Sequence, residues 1–398
     1  MPNASDRYDI RQEIFPLPPA REIFASTYYT HPQGLDLISI HQSSPRSDTV
    51  DGVFSRRSSD NGRTWSKQEN VWVEGKAAQK GMHRRFEKGS FLDPKTGRFI
   101  SFRNEADLPT DDPLEGLRQW KMYYRVSEDG GRTWKVDEPI IHRGAEYSAA
   151  HPLPNVWVGK NCFMIGDLGS EPITLADGTI LVPIQVSPIG PDGVYYNPGG
   201  GFTYTDAAVL RGRWTAGAHL EWELSALAKG DPAVSTRGTV EPTIAQLTDK
   251  RLIMVMRGSN DKKPQLFGGR WVSFSNDEGR TWTKPELWTY TNGEKFFSPS
   301  SCSQLVTHSS GRLFWLGNIT PQNPAGNRPR YPLVIGEVDR ATGRLREETV
   351  AIVADRRPQD SEQITLSNFY AREDRETREL VLHLSRGGQP YLYRIKIK

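Results

Sequence analysis

The sharpest grouping of reactive side chains in this 398-residue chain is Met82-His83-Arg84-Arg85-Phe86-Glu87. An imidazole can move a proton near neutral pH, and a guanidinium stays charged and forks onto a carboxylate. A His beside two Arg therefore suits an acidic sugar. The same residues also read as a solvated basic loop whose His caps a turn, and residue type alone leaves both readings open. Tyr195 and Tyr196, set among Pro and Gly in Val194-Tyr195-Tyr196-Asn197-Pro198-Gly199-Gly200-Gly201, join His83 as candidates for catalysis. Packing tyrosines occur in such surroundings about as often. Asn104, His151, Arg237, Glu241, Arg257 and Arg330 join Arg84 and Arg85 as candidates for substrate binding, although His151 in Ala150-His151-Pro152 reads more readily as structural. His41, His219, His308 and His383 fall in or beside expected strands and read as packing residues. No His, Asp or Glu grouping has metal-ligand spacing.

Two reactions fit these parts. Glycoside hydrolysis asks for a pair of carboxylates across the scissile bond. Glu171 and Glu241 are available, but Glu171-Pro172-Ile173-Thr174 and Glu241-Pro242-Thr243-Ile244 share one local pattern and could both be repeat consensus. Elimination from a uronate asks for an Arg to neutralise the carboxylate and acidify the neighbouring C–H. It also needs a His or Tyr to take that proton and an acid to protonate the departing oxygen. His83 with Arg84 or Arg85, plus Tyr195 or Tyr196, fits that second recipe better.

The elements that must position these groups announce themselves by repetition. Ser58-Ser59-Asp60-Asn61-Gly62-Arg63-Thr64-Trp65 returns at Ser127–Trp134 and at Ser275–Trp282. The steps are 69 and 148 residues, the second being two periods of about 74 with one silent copy. Each octet reads as a turn capping a hairpin. Ser and Asp side chains bond backbone amides, Gly supplies positive φ, and Trp packs the turn onto a sheet. Apolar alternation between the octets marks some two dozen short strands in six units. The first runs from Arg21 and the last from Gln363 to Ile397 with only three strands. Tyr8–Leu17 is left over, and pairing it with the last unit would close a ring and remove the edge strands.

The expected fold is therefore all-β, a single domain over residues 1–398, forming a six-bladed β-propeller closed by its N- and C-terminal strands. A seventh blade hidden in His142–Ser170 is the alternative. Long connections, which are usually functional, all emerge on one face, and the octets turn on the other. The loop face is the expected functional face.

Composition narrows the classes. A net charge of +3 with no basic run gives nucleic-acid binding no support, and no apolar stretch is long enough to span a membrane. No signal peptide is visible at Met1-Pro2-Asn3-Ala4-Ser5. Two sequons, Asn3-Ala4-Ser5 and Asn318-Ile319-Thr320, lean slightly toward secretion. An extracellular monomer is expected, with the cytoplasm as the other compartment. Cys162 and Cys302 are either two buried thiols or a disulfide. No cofactor is required by these chemistries. A structural calcium held by backbone carbonyls in a central channel would leave no trace in the sequence.

The three octets match the Asp-box of sialidase-like, or BNR-repeat, propellers. Glu241-Pro242-Thr243-Ile244 followed by Leu252-Ile253-Met254-Val255-Met256-Arg257 resembles the sialidase segment that presents a Glu and, a strand later, one arginine of a carboxylate-binding triad. The Arg-Ile-Pro motif of sialidases has no counterpart, since Arg11 and Arg21 are not followed by Ile-Pro, and Tyr370 is an unmarked candidate for their nucleophile. With its His83-Arg84-Arg85 segment and many arginines, the chain looks like the secreted fungal L-rhamnose-α-1,4-D-glucuronate lyases, which are similar to propeller rhamnosidases and ulvan lyases. That resemblance implies removal of terminal rhamnose from glucuronate on arabinogalactan side chains such as those of gum arabic, with His83 moving the proton and neighbouring Arg neutralising charge. An exo-glycosidase, either sialidase or α-L-rhamnosidase, and a non-catalytic glycan-binding propeller are the alternatives.

Overall fold

The computed structural model describes residues 6–17, 23–44, 50–73, 82–108, 120–159 and 162–398. Its strands form six antiparallel sheets, each a blade. Blade 1 is built from Ile23–Tyr29, Leu37–Ser43, Gly52–Ser58 and Glu69–Val73, and blade 2 from Met82–Leu92, Phe99–Leu108, Lys121–Ser127 and Val136–Pro139. Blade 4 is built from Val240–Gln246, Leu252–Arg257, Arg270–Ser275 and Glu286–Leu287. Blade 5 carries Gln304–Thr307, Leu313–Asn318 and Leu333–Asp339, with both Arg344–Leu345 and Ala351–Ala354 on the last of these. Blade 6 is Phe369–Glu373, Leu380–Arg386 and Gln389–Ile397, completed by the N-terminal Tyr8–Ile14.

Closure runs in register from Tyr8 opposite Ile397 to Ile14 opposite Tyr391. Pairing supplies partners for what would otherwise be an open sheet edge. Tyr8 anchors it, nearly fully buried and edge-on to Phe314 at 6.3 Å.

Blade 3 departs from the expected pattern. Its inner position is divided between Phe163–Met164 and Ile173–Thr174, two short pieces that both pair with Ile180–Val186. Asp206–Trp214 and Leu220–Leu224 complete the sheet. The expected strand Glu171–Leu175 is thus only two residues long, because Gly166-Asp167-Leu168-Gly169-Ser170 leaves the ladder between the pieces. Among the described residues 142–170 contribute no seventh sheet. The expected strand start at Arg21 lies outside the described residues.

The octets have one geometry. Ser58 Oγ donates to Asp60 Oδ1 at 2.7 Å and accepts from Gly62 N at 2.8 Å, while Asp60 accepts from the amide (2.9 Å) and hydroxyl (2.5 Å) of Thr64. Ser127, Asp129, Gly131 and Thr133 repeat it, as do Ser275, Asp277, Gly279 and Thr281. The Thr64 hydroxyl and amide, with the Ser58 hydroxyl, hold Asp60 down at about 2. The boxes also clamp neighbouring blades. Arg57 donates to the carbonyls of Gly130 and Gly131 at 2.9 and 2.7 Å, and Asn61 to Asp374 at 2.9 Å.

Cys162 and Cys302 are free buried thiols. Asn318, the second sequon's acceptor, is fully buried and donates to the carbonyls of Pro332 (3.0 Å) and Leu366 (3.1 Å), so the folded chain does not present it for glycosylation.

Tyr8→Ala is expected to lower the unfolding free energy by about 3–5 kcal/mol, the range for deleting a buried aromatic ring. A urea titration followed by circular dichroism checks this.

Candidate active site

A cavity of about 530 Å³ opens on the loop face and is bordered by all six blades. Its floor is set by a bulge. Val240 pairs with Arg257 and Thr243 with Val255, so Glu241 and Pro242 together oppose Met256. Pro242 has no amide to give a ladder, and Glu241 takes φ 48°, a left-handed conformation that costs a non-glycine residue about 1–3 kcal/mol. Bulges of this kind re-aim a side chain. Glu241 is turned into the cavity, where Oε1 meets Arg257 Nη2 at 3.0 Å, and its amide donates to Gln185 Oε1 at 3.0 Å.

The segment that leaves blade 3 supplies the facing wall. Gly166 passes so close that a Cβ there would lie 2.2 Å from Glu241 Cγ. The next residue, Asp167, lines the cavity beside Glu241 and Cys302, and one ligand atom from each of the three lies within 4.8 Å of the others. Burial, and then the Glu241 carboxylate, push Asp167 above the usual carboxylate range. Burial, then the fields of Asp167 and Glu241, push the Cys302 thiol well up. Among the described residues this is the one grouping of His, Cys, Asp or Glu able to hold a metal. Arg257 already gives Glu241 a cation partner.

Three arginines border the same cavity. Arg257 is buried and also donates to the Ser300 carbonyl at 3.3 Å. Arg237 donates to Thr203 Oγ1 at 2.5 Å, and burial, then Arg257, push it down to about 10. Arg330 donates to the Asn327 carbonyl at 3.2 Å. Neither Arg237 nor Arg330 has an ion-pair partner among the described residues. The opposite wall carries Phe24, Phe86, Trp120 and Leu168, with Phe86 edge-on to Trp120 at 5.1 Å. Lys88 Nζ donates to the Gly166 carbonyl at 2.9 Å.

The structure thus brings together Asn104, Arg237, Glu241, Arg257 and Arg330 from the expected set, Asn104 through a buried amide that donates to the Ile165 carbonyl at 3.2 Å. The other candidates stand apart from the cavity lining. His83 is at the start of the inner strand of blade 2, with Nε2 3.9 Å from Glu105 Oε2 and its ring edge-on to Trp72 at 6.4 Å. Arg84 is buried in that strand. Arg85 is neutralised by Glu87, which accepts from its Nε at 2.8 Å and is itself buried against Arg125 at 3.4 Å. Tyr195 is tied to backbone, donating to the Tyr204 carbonyl at 2.7 Å and accepting from its amide at 2.5 Å, and Tyr196 packs edge-on against Tyr204. His151 is exposed and stacks on Tyr147 at 5.7 Å. Tyr370 lines a different cavity and donates to Glu171 at 3.2 Å. Asp167 was not among the candidates. Its signal is a lone acid between glycines in a long connection, Gly166-Asp167-Leu168-Gly169.

Residues 114–361 match the family model described as a BNR repeat-like domain, more than half of the chain, and the chain belongs to that family. No curated protein matches it in sequence. Among solved structures it is similar to a protein of unknown function from Dyadobacter fermentans (13% identity, TM-score 0.61, covering 98% of this chain and 99% of that one). It is also similar to a Hadza microbial sialidase (16% identity, TM-score 0.58, 91% of this chain and 63% of that one). The NanB sialidase of Streptococcus pneumoniae is a further likeness (11% identity, TM-score 0.60, 94% and 68%). At these identities the likeness establishes the shared propeller fold.

Gly166→Ala should displace the Glu241 carboxylate and cost roughly 10²-fold in turnover, the scale for a 1 Å misplacement, with an unchanged circular dichroism spectrum. Burial also raises Glu171 to about 7, against an ordinary 4.5. A carboxyl raised by folding stabilises the fold fully below its unfolded value, and that contribution is lost as pH rises through its folded one. The melting temperature should therefore fall between about pH 4.5 and 7, and Glu171→Gln should flatten that fall in a melting series across pH.

Proposed function

We propose that the chain is a carbohydrate-active enzyme that releases a terminal acidic sugar by hydrolysis. The observation that carries this reading is the grouping, in one cavity, of Arg237, Arg257 and Arg330 with the neighbouring carboxyls of Asp167 and Glu241. The arginines would receive the sugar's carboxylate, the two without ion-pair partners being available to fork onto it. Asp167, whose acid form burial favours, would protonate the departing glycosidic oxygen. Glu241, paired with Arg257, would support the positive charge that develops at the anomeric carbon, or attack it. A water would then complete the cleavage and return a proton to Asp167. Oxygens within 4.8 Å put the two carboxyls close to the about 5–5.5 Å spacing of retaining rather than inverting glycosidases. The fold shared with the Hadza microbial and NanB sialidases supports a glycan as substrate.

Elimination from a rhamnosyl-glucuronate end is the second reading. The observation that favours it is His83 beside Glu105, an imidazole with an acidic neighbour to orient it. It would use the same arginines for the uronate.

Incubation with gum arabic and with a sialylated glycan separates the two. Hydrolysis should give free sugar with retained anomeric configuration by NMR and no unsaturated-uronate absorbance. Arg257→Met should cut kcat/KM by at least about 10²-fold, as for loss of a charge-stabilising donor. Turnover should fall as pH rises through the Asp167 titration, and Asp167→Asn should remove that alkaline limb. An ultraviolet-absorbing product abolished by His83→Ala would establish elimination instead.

A further inference from the structure

A second cavity, about 460 Å³, lies at the other mouth of the central channel, on the face where the octets turn. It shares no lining residue with the loop-face cavity. Tyr29, Glu171, Tyr370, Arg372 and Arg375 are among its walls.

Two guanidiniums stack on one ring here, Arg372 at 4.9 Å and Arg375 at 3.9 Å from the centroid of Tyr29. Everything they bond is neutral. Arg372 donates from Nε to Thr27 Oγ1 at 2.9 Å, and from Nη1 to the Tyr29 hydroxyl and the Glu373 carbonyl, both at 3.2 Å. Arg375 donates from Nη1 to the carbonyls of His31 (2.8 Å) and Gly34 (3.0 Å). Neither has an ion-pair partner among the described residues, and in both arginines Nη2 has no partner there.

Nearby carboxyls are engaged elsewhere, although Asp374 feels the field of Arg372. Glu373 is held by the Ser309 amide (2.7 Å), His308 Nε2 (3.5 Å) and Arg378 (3.5 Å). Asp374 accepts from Asn61 (2.9 Å) and the Glu376 and Thr377 amides, and pairs with Arg394 at 3.4 Å. Glu171 is bound by the Tyr370 hydroxyl (3.2 Å) and Gln304 (3.3 Å), and burial keeps much of it uncharged near neutral pH. Two cations stacked on one ring, with no carboxylate in ion-pair range among the described residues, at a cavity of ligand size lined by both hydroxyls and apolar groups, leave room for an anionic partner.

We propose that this mouth is a second ligand site, in which Nη2 of Arg372 and of Arg375 receive the carboxylate of a small hydroxylated acid such as a sugar acid. The site is separate from the loop-face cavity and stands whether that cavity hydrolyses, eliminates or only binds.

Calorimetry with sodium D-glucuronate tests it. The wild-type chain should bind two molecules, the Arg257→Met chain one, and the Arg375→Gln chain one, with at least a tenfold loss of affinity at the second site. D-glucose should not bind there. Diffraction from wild-type crystals grown with glucuronate should locate a molecule against Arg372 and Arg375, a readout that needs no variant to fold. A single wild-type site abolished by Arg257→Met, or glucose binding as well as glucuronate, would overturn the proposal. Inorganic sulfate occupying the mouth while glucuronate does not would overturn the sugar-acid assignment.

Discussion

Two arginines face each other across the two central strands of blade 4, at their loop-face ends. Arg257 and Arg270 are direct cross-strand partners, and both are buried. Like charges opposite one another in a sheet repel, and burial removes the water that would screen them. The site is built around the resolution of that conflict. Arg270 is wrapped by the serines of Ser298-Pro299-Ser300-Ser301-Cys302-Ser303, donating to Ser298 Oγ at 2.9 Å, Ser301 Oγ at 3.0 Å and Ser303 Oγ at 3.5 Å. With no carboxylate in ion-pair range among the described residues, it is pushed down to about 9 by burial and then by Arg257. Wrapping Arg270 also fixes what the serine segment brings to the cavity, namely the Ser300 carbonyl on Arg257 and the Cys302 thiol beside Asp167. Arg257 takes the other course and is paired with Glu241, which accounts for a strained backbone at that residue.

The strain is made tolerable by blade 3. A continuous inner strand there would block the space into which Glu241 turns. The ladder is instead interrupted, and Gly166 offers no Cβ where one would collide with Glu241. Lys88 secures the detour through the Gly166 carbonyl, and Gln185 secures the Glu241 amide. A bulge in one blade and a break in the next are thus one device, each needing the other. The octets have no part in it. They fasten neighbouring blades on the opposite face, where their turns leave the loop face free to vary.

How much of this could be read from residues alone follows from the range of the interactions. The octets were legible because their hydrogen bonds close within eight residues, so Ser, Asp, Gly and Thr must recur at fixed spacing. The closing strand was legible because Tyr8–Leu17 had no unit of its own and the last unit had only three strands. Arg237, Glu241, Arg257 and Arg330 stood out as charged residues at strand ends on the loop face. The segment His83-Arg84-Arg85 stands apart from the cavity lining, and charge density along the chain does not show how charge is spent. Two residues on, Glu87 falls on the same face of the strand as Arg85 and neutralises it, a consequence of the period of two that the sequence does contain. Tyr195 is spent on the Tyr204 backbone, a contact across a loop with no local signature. Asp167 went unnoticed because its significance lies in Glu241, 74 positions away.

The division of labour between those two acids follows from the same asymmetry of arginines. Burial, and then the nearby Glu241 carboxylate, disfavour a charge on Asp167. Here Arg257 lies 3.0 Å from Glu241, whereas the neighbours of Asp167 that bear on its charge are a protonated thiol and Lys88, whose ammonium is turned to a backbone carbonyl. Burial and its neighbour thus favour the acid form of Asp167, while Glu241 keeps the direct cation partner and faces the arginines that would hold an anionic substrate. The roles are set by which carboxyl the buried arginine of blade 4 can reach. That, in turn, is set by the bulge that turns Glu241 toward it.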